Sequence, residues 1–216
     1  MMNDSLILAD EYEADHVKHS VGGLRGHLLR RAIHLSMAFL PWLYYWHGAL
    51  ISDIIGMTIH NFVTIVVCLI ILAELIRLKI GFTIIGQRDY EAKQLSALFW
   101  GAISVGFALI YSPQIGLMGA GIGLPLIYGL SFGDPVMGET RRAEKSSNFV
   151  LFSGLLTVYL VWFLSWHLIS TPLIYALIIP PIQVASEYPR LRWIDDNGLM
   201  VLVPLIVILC FNSLGL

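Results

Sequence analysis

Glycine, carboxylate and cationic side chains are concentrated in one stretch of the chain, residues 129–148 (GLSFGDPVMGETRRAEKSSN). The residues in it that could bind a phosphorylated ligand are Gly133, Asp134, Gly138, Arg141, Arg142, Lys145 and Ser146. Phosphate chemistry needs these types together, because glycine lets backbone amides approach oxyanions, a carboxylate holds Mg²⁺, and Lys or Arg offsets the phosphate charge. The spacing is not that of a Walker loop, since Glu144 and not glycine precedes Lys145. The alternative for the cations is that they only mark a cytosolic loop.

A second group of polar residues lies near the C-terminus, between two apolar runs. Glu187 is followed, after a basic loop, by Asp195-Asp196-Asn197. Carboxylates beside a basic loop can hold a divalent cation or position a hydroxyl group for reaction. The alternative is that Asp195 or Asn197 caps the helix that follows. We take Glu187 and Asp196 as candidate catalytic residues.

Ionisable residues also flank the first two apolar runs. Arg31 and His34 lie at the start of the first run, and Glu74 and Arg77 lie at the end of the second. Residues three apart share one helix face, so Glu74 and Arg77 can pair. A charge at the centre of a membrane costs about 2.5–3.5 kcal/mol, which makes these residues candidates for a supporting role at a site. The alternative for the pair is an ion pair at a helix end, with Arg77 reaching the headgroups.

The composition excludes an ordinary soluble domain. Of the 216 residues, 57% are hydrophobic and 13% are charged, whereas soluble domains average about 25% charged residues. Two cysteines, Cys68 and Cys210, are too few for a disulfide scaffold, and no Cys or His pairing has zinc-ligand spacing. The basic residues form no nucleic-acid footprint, so no nucleic acid is expected among the partners. The composition predicts an all-α, polytopic integral membrane protein whose main partner is the bilayer.

Seven apolar runs approach or reach the length of about 20 residues that a membrane-spanning helix needs. They are residues 32–51, 54–76, 95–112, 115–132, 149–169, 171–187 and 198–215. The fourth run ends just before Gly133-Asp134, which predicts a loop over residues 138–146. Pro180-Pro181 interrupts the sixth run. A broken helix in lipid needs protein or water around its freed backbone, so the prolines predict a polar cavity under the cytosolic loops.

The basic residues decide the orientation of these spans. All 13 Lys and Arg residues precede the first span or lie in alternate loops, and the remaining loops and the C-terminal tail have none. Because cytosolic loops carry the excess of Lys and Arg, this partition predicts seven transmembrane helices with the N-terminus inside and the C-terminus outside. Residues 1–30 are then a cytosolic tail and no cleaved signal peptide, with a basic stretch over residues 22–31 that can lie on the inner leaflet. Residues 31–216 form a single transmembrane catalytic domain.

Taken in order, the polar motifs resemble those of the polyprenol kinase family, which includes dolichol kinase, phytol kinase and yeast-type diacylglycerol kinase. The motifs that carry the resemblance are Arg30-Arg31-x-x-His34, Glu74-x-x-Arg77, Gly133-Asp134, Lys145-Ser146, Glu187 and Asp196-Asn197. They cover residues 30–204, which is nearly the whole membrane part. The chain departs from the family after Lys145-Ser146, where Ser147-Asn148 stand in place of a run that contains Glu and Gly.

The resemblance implies a membrane-embedded kinase that transfers the γ-phosphate of CTP to a lipid alcohol at the cytosolic leaflet. The alcohol would be a polyprenol, another isoprenoid alcohol or diacylglycerol. Asp134 would bind Mg²⁺ on the nucleotide triphosphate, and Asp196 is the second candidate Mg²⁺ ligand. Glu187 or Asp196 would orient the lipid hydroxyl or accept its proton.

The same resemblance implies how the phosphates would be held. Lys145, with Arg141 or Arg142, would neutralise the β- and γ-phosphates, and Asn197 would complete the metal or phosphate shell. The residues left with a supporting or headgroup-positioning role are Arg31, His34, Glu74 and Arg77.

Two other functions are open at this point. A cytidylyltransferase that forms a CDP-lipid would share the fold and the nucleotide but would release pyrophosphate in place of CDP. A non-enzymatic transporter or lipid-binding protein would use the polar cluster as a gate, although the opposite face offers only His47, Asp53 and His60 for a polar route. In each case we expect a protein integral to a cell membrane, which would be the inner or plasma membrane if the source is bacterial, with a cytosolic active face. The oligomeric state is left open.

Overall fold

The structure is a computed structural model that describes residues 20–189, 191 and 193–214, and all of their side chains except those at positions 89 and 90. Regular elements in this part of the chain are all helical. The helices are α1 (Gly23–Ser36), α2 (Phe39–Ile55), α3 (Ile59–Ile80), α4 (Ala97–Tyr111), α5 (Gly123–Arg142), α6 (Ser147–Ile169), α7 (Leu173–Ala185) and α8 (Asp196–Ser213). The predicted all-α class is confirmed. The acidic part of the predicted tail and the loop residues Arg190 and Arg192 lie outside the described residues.

Three of the described helices are long and apolar enough to cross a membrane, namely α3, α6 and α8. They correspond to the second, fifth and seventh predicted spans. The helices α4 and α7 are apolar but shorter, with 15 and 13 residues. The predicted membrane class is therefore supported by these three helices.

The first predicted span, residues 32–51, is wrong as a single helix. The chain forms α1 up to Ser36, turns at Met37-Ala38, and begins α2 at Phe39. The predicted boundary between the tail and the membrane domain at residues 30 and 31 therefore lies within α1. The side chains of His27 and His34 on α1 are buried against the rest of the protein.

The fourth predicted span, residues 115–132, begins too early and ends too early. The helix α5 covers Gly123–Arg142, and a short 3₁₀ turn over Leu117–Gly119 precedes it. Gly116 and Gly119 have φ angles of 77° and 73°, in the left-handed region that ends a right-handed helix. The predicted loop over residues 138–146 is correspondingly wrong up to Arg142, which is the last helical residue.

The prediction that Pro180-Pro181 break the sixth span is wrong, because both prolines lie inside the continuous helix α7. A proline at position 181 removes the donor for the carbonyl of Leu177, four residues earlier. The hydroxyl of Tyr159 on α6 donates a hydrogen bond to that carbonyl at 3.2 Å. A neighbouring helix therefore replaces the lost backbone bond, and the helix continues.

Apolar side chains cover much of the outer surface, while polar ones are turned inward. On α1, Leu24, Leu28 and Leu35 are 53%, 56% and 47% exposed, whereas His34 is 3% exposed. Exposing a leucine side chain to water costs free energy, whereas exposing it to lipid tails does not, because the tails are as apolar as leucine. This distribution suits helices surrounded by lipid.

The centre of the fold lies between α5, α6, α7 and α8, and one buried amide links three of these helices. Gln183 on α7 accepts a hydrogen bond from the indole nitrogen of Trp162 on α6 at 3.0 Å. The same side chain donates to the carbonyl oxygen of Leu126 on α5 at 2.8 Å. Both Gln183 and Trp162 are fully buried, so neither could exchange its partner for water.

We expect Gln183→Ala to destabilise the protein by about 1–3 kcal/mol, because it leaves the buried indole N–H of Trp162 without a partner. Thermal unfolding in detergent measures this loss. Trp162→Phe removes the same bond from the other side, so the double variant should cost less than the sum of the two single variants. Strictly additive costs would show that the two side chains do not interact.

Candidate functional site

Three carboxylates from distant parts of the chain meet at one end of the helices. Asp134 lies in α5, Glu187 lies two residues beyond the end of α7, and Asp196 is the first residue of α8. One carboxylate oxygen from each side chain lies within 4.8 Å of the other two. Asp134 and Glu187 are buried, and Asp196 is half-buried. The predicted convergence of these three residues is thus seen in the geometry, and we call them the carboxylate cluster.

Two arginines offset part of the negative charge of the carboxylate cluster. Arg31 on α1 donates to Asp134 Oδ2 at 3.2 Å and to Glu139 Oε1 at 3.2 Å. Arg141 on α5 donates to Glu187 Oε1 at 2.6 Å. Charge-assisted bonds hold planar guanidinium groups in fixed directions. The cluster is therefore flanked by one cationic group on each of two helices.

The second oxygen of Glu187 has no such partner. Glu187 is 6% exposed, and its Oε2 atom is buried without a hydrogen-bond partner among the described residues. Burial raises the pKa of this carboxyl group to about 8, with Asp134 and Asp196 adding to the rise and Arg141 opposing it. A buried acceptor left unsatisfied is costly, and such groups commonly await a ligand or an ion.

The carboxylate cluster fits a hard divalent cation. Carboxylate oxygens are the protein ligands that Mg²⁺ takes, often only one or two of them, with water and phosphate oxygens completing the shell. Asp134 and Asp196, the two predicted Mg²⁺ ligands, lie in the cluster, and Glu187 lies beside both. The donor set and the unsatisfied oxygen of Glu187 together are compatible with one such ion.

His34 and Asn197 lie around the carboxylate cluster. His34 Nδ1 is 3.4 Å from Asp134 Oδ2, although the two atoms are not aligned for a hydrogen bond. Asn197 donates to Asp195 Oδ2 at 2.8 Å, and its own Oδ1 is buried without a partner in the described part of the chain. Asp195 occupies the position before α8, but its side chain makes no capping hydrogen bond to the helix. The prediction that Asp195 caps α8 is therefore confirmed for its position, but not for a side-chain hydrogen bond.

The predicted glycines have different surroundings. A Cβ atom at Gly133 would lie 2.9 Å from Val158 Cγ2, so this glycine permits close packing of α5 on α6. A Cβ atom at Gly138 would collide with the guanidinium group of Arg31. Gly138 thus leaves the space through which Arg31 reaches Asp134.

We expect Gly138→Ala to displace Arg31 and to loosen α1, which Arg31 holds against α5. Backbone amides of residues 23–36 should then exchange with solvent about fivefold to tenfold faster, as expected for the loss of one or two ion pairs. Hydrogen exchange followed by mass spectrometry measures this. Gly48→Ala on α2 is the control, because its Cβ would meet only the side chain of Ile59 on α3. Unchanged exchange in α1 would show that Arg31 does not hold the helix.

Three predicted phosphate-binding residues, Arg142, Lys145 and Ser146, form no ion pair or hydrogen bond with the carboxylate cluster in the described part of the chain. Arg142 is exposed and pairs with Glu139 at 3.2 Å. Lys145 is exposed and makes no ion pair with any described residue. The hydroxyl of Ser146 accepts a hydrogen bond from the amide of Phe149 and caps α6. The structure therefore brings Arg141 to the cluster, but neither Lys145 nor Ser146.

Glu74 and Arg77 form a separate buried ion pair. Arg77 donates two hydrogen bonds to the Glu74 carboxylate, at 2.8 and 2.9 Å. Arg77 also donates to the backbone carbonyls of Phe82, Glu91 and Gln94. The pair consequently holds the segment between α3 and α4 and does not contact the carboxylate cluster. Its geometry matches a structural clamp better than the predicted headgroup-positioning role.

Sequence reasoning missed two acidic residues that organise this end of the molecule. Glu139 accepts from Arg31 and lies 3.3 Å from His27 Nε2. Glu91 is 2% exposed and accepts from Arg30 at 3.3 Å. Glu139 lies one residue after Gly138, so an α5 extended to Arg142 would have placed it on the helix that carries Asp134.

Comparison of the chain with protein-family models, with curated proteins and with solved structures found no match.

Proposed function

We propose that the chain spans a membrane seven times through α2 to α8, with the N-terminus and the carboxylate cluster on the cytosolic side. The partition of the basic residues supports this orientation. One contact gives further support. The hydroxyl of Thr171, in a loop predicted to lie outside, donates at 2.7 Å to the carbonyl of Gly121, which was predicted within the fourth span but lies in the segment before α5.

For the activity, we propose a lipid-alcohol kinase that uses CTP and Mg²⁺, as the motif order suggests. The observation that carries the proposal is the carboxylate cluster with Arg31 and Arg141 on either side. Phosphoryl transfer needs mainly positioning and electrostatic stabilisation, and this arrangement offers cation ligands and phosphate-binding guanidinium groups together. The carboxylate cluster lies at the ends of helices that face lipid, which suits an acceptor alcohol that stays in the bilayer.

The residues of the chain then have distinct roles. Asp134 and Asp196 would hold Mg²⁺, which supplies neutralisation of the nucleotide's phosphate oxygens when it is bound. Arg31 and Arg141 would turn from their carboxylate partners toward the β- and γ-phosphates. Glu187, whose Oε2 atom has no partner among the described residues, would orient the lipid hydroxyl and, in its ionised form, accept its proton.

The reaction balances with these groups. The lipid oxygen forms a bond to the γ-phosphorus, the bond from that phosphorus to the β,γ-bridging oxygen breaks, and CDP leaves. The hydroxyl proton passes to Glu187 and then to solvent. Lys145, the cation that the resemblance assigns to the phosphates, would leave that role to Arg31 and Arg141, because it is exposed and forms no ion pair with the carboxylate cluster.

The proposal is tested with the purified full chain in detergent with Mg²⁺. Labelled CTP, ATP, GTP and UTP are each offered with polyprenols, phytol, geranylgeraniol and diacylglycerol. We expect transfer of the γ-phosphate of CTP to one class of alcohol, with release of CDP. Release of pyrophosphate would identify a cytidylyltransferase instead. No transfer from any nucleotide by folded protein would overturn the enzymatic proposal and leave a binding or transport role.

A further inference from the structure

An open cleft of about 700 Å³ lies away from the carboxylate cluster, at the turn between α2 and α3 and beside the segment that precedes α5. Its walls include Tyr44, Tyr45 and Asp53 from α2, His60 from α3, and Gln114. The volume is in the range of about 300–1,000 Å³ that is common for small-molecule sites. None of these residues belongs to the proposed kinase site.

The charge of the cleft is negative and uncompensated. Asp53 is exposed, lies in the last turn of α2, and forms no ion pair with any described residue. The C-terminal end of a helix carries partial negative charge, so an acidic residue there is unfavourable unless a cation is present. No Lys or Arg is among the cleft-lining residues, and the α2–α3 turn has none. The electrostatics therefore favour a cationic ligand.

A second feature is the pair of tyrosines in the wall of the cleft. Tyr45 is 6% exposed, and its hydroxyl group is buried against Gly123 of α5. Next to it, the ring of Tyr44 is half-buried and lies 5.0 Å from the ring of Tyr45 in an edge-to-face arrangement. Aromatic faces attract organic ammonium groups, so the ring of Tyr44 is the aromatic group available to such a ligand.

A metal ion fits the cleft less well. Asp53 and His60 are its only His, Cys, Asp or Glu side chains among the described lining residues, and they belong to no group of three that could share an ion. A cleft of this volume with one carboxylate and aromatic walls is instead typical of a site for a bulky cation. We propose that this cleft binds a ligand with an organic ammonium group, held by Asp53 and Tyr44. The inference is independent of the kinase proposal.

The ammonium group could belong to a soluble amine or to a lipid headgroup, and the test has one arm for each. In the first arm, choline and its uncharged isostere 3,3-dimethylbutan-1-ol are offered to the delipidated full chain in maltoside micelles. Binding is followed by saturation-transfer NMR on the ligand methyl groups. We expect choline to bind and the uncharged isostere not to bind.

The second arm uses the same protein mixed with phosphatidylcholine, phosphatidylethanolamine and phosphatidylglycerol. Native mass spectrometry then measures which lipid stays bound, and we expect the first two to be retained over the third. Retention of these lipids without binding of free choline would identify a headgroup as the source. Binding of choline without lipid selectivity would identify a soluble amine.

Variants decide whether the cleft is responsible. Asp53→Asn should weaken binding of the ammonium ligand at least about tenfold, as expected for the loss of one opposite charge. Tyr44→Leu should also weaken it, because the change removes the aromatic ring from the wall of the cleft. Glu144→Gln, an exposed carboxylate outside the cleft, should have no effect. Equal binding of choline and its isostere, unchanged binding by Asp53→Asn, or no binding in either arm would overturn the proposal.

Discussion

Replacing Asp134 by Asn should lower transfer of the γ-phosphate by about a hundredfold to a thousandfold, the loss typical for one group that stabilises developing charge in an active site. Asp134 is a member of the carboxylate cluster and bonds Arg31 at 3.2 Å. The change keeps the shape of the side chain but removes the negative charge that would hold Mg²⁺. Initial rates at saturating CTP and lipid alcohol measure the effect.

The matched control for Asp134→Asn is Glu144→Gln. It also neutralises one carboxylate, but Glu144 is exposed and forms no ion pair with any described residue. This control should retain the wild-type rate. Thermal unfolding of both variants separates loss of activity from loss of fold. If folded Asp134→Asn protein kept its rate within about twofold, Asp134 would not be a ligand in the reaction.

The largest effect on stability is expected from Arg77→Met. Breaking a buried ion pair typically costs about 3–5 kcal/mol, because it leaves the other charge buried and uncompensated. Here the change would strand the Glu74 carboxylate, which is 7% exposed, and would remove the donor to three backbone carbonyls between α3 and α4. The free energy of unfolding in mixed micelles measures this loss.

Lys79→Met is the matched control for Arg77→Met, since Lys79 lies two residues further along α3 and is exposed. It should change the free energy of unfolding by less than about 0.5 kcal/mol. The double variant Glu74→Gln with Arg77→Met should recover part of the loss, because no charge is then left buried. Equal stability of Arg77→Met and Lys79→Met would contradict the clamp between α3 and α4.

The meeting of Asp134, Glu187 and Asp196 could be predicted because each lies at the same end of an apolar run. In a membrane protein, the partition of basic residues assigns such ends to one face, and this compensates for the absence of a local sequence motif. The all-helical class followed from the same apolar runs. Pairing of Glu74 with Arg77 was also predictable from their helical spacing.

The extension of α5 through Arg142 could not be predicted from local patterns. Pro135 lacks a backbone donor and would ordinarily end or bend a helix. Met137, two residues later, is fully buried and packs where Gly154 on α6 leaves room. Tertiary packing thus overrides the local preference and carries Glu139 and Arg141 on the same helix as Asp134.

The contact of Arg31 with Asp134 also could not be predicted from the sequence. Its guanidinium group reaches Asp134 only because Gly138 lacks a side chain and because α1 is separated from α2 by a turn. The contacts of Arg31 with Asp134 and Gly138 join residues more than 100 positions apart, which spacing along one helix does not encode. For Lys145 the error runs the other way. The Lys145-Ser146 motif predicted that it binds the phosphates, but in the fold it is exposed and forms no ion pair with the carboxylate cluster.

The most direct test of the carboxylate cluster is binding of Mn²⁺, used in place of Mg²⁺, to the purified full chain in the presence of CTP, followed by electron paramagnetic resonance. We predict one bound ion per chain in the wild type and in Glu144→Gln, and at least about tenfold weaker binding in both Asp134→Asn and Asp196→Asn. Binding of Mn²⁺ with wild-type affinity by both aspartate variants, or no bound ion in the wild type, would contradict a cation site at the carboxylate cluster.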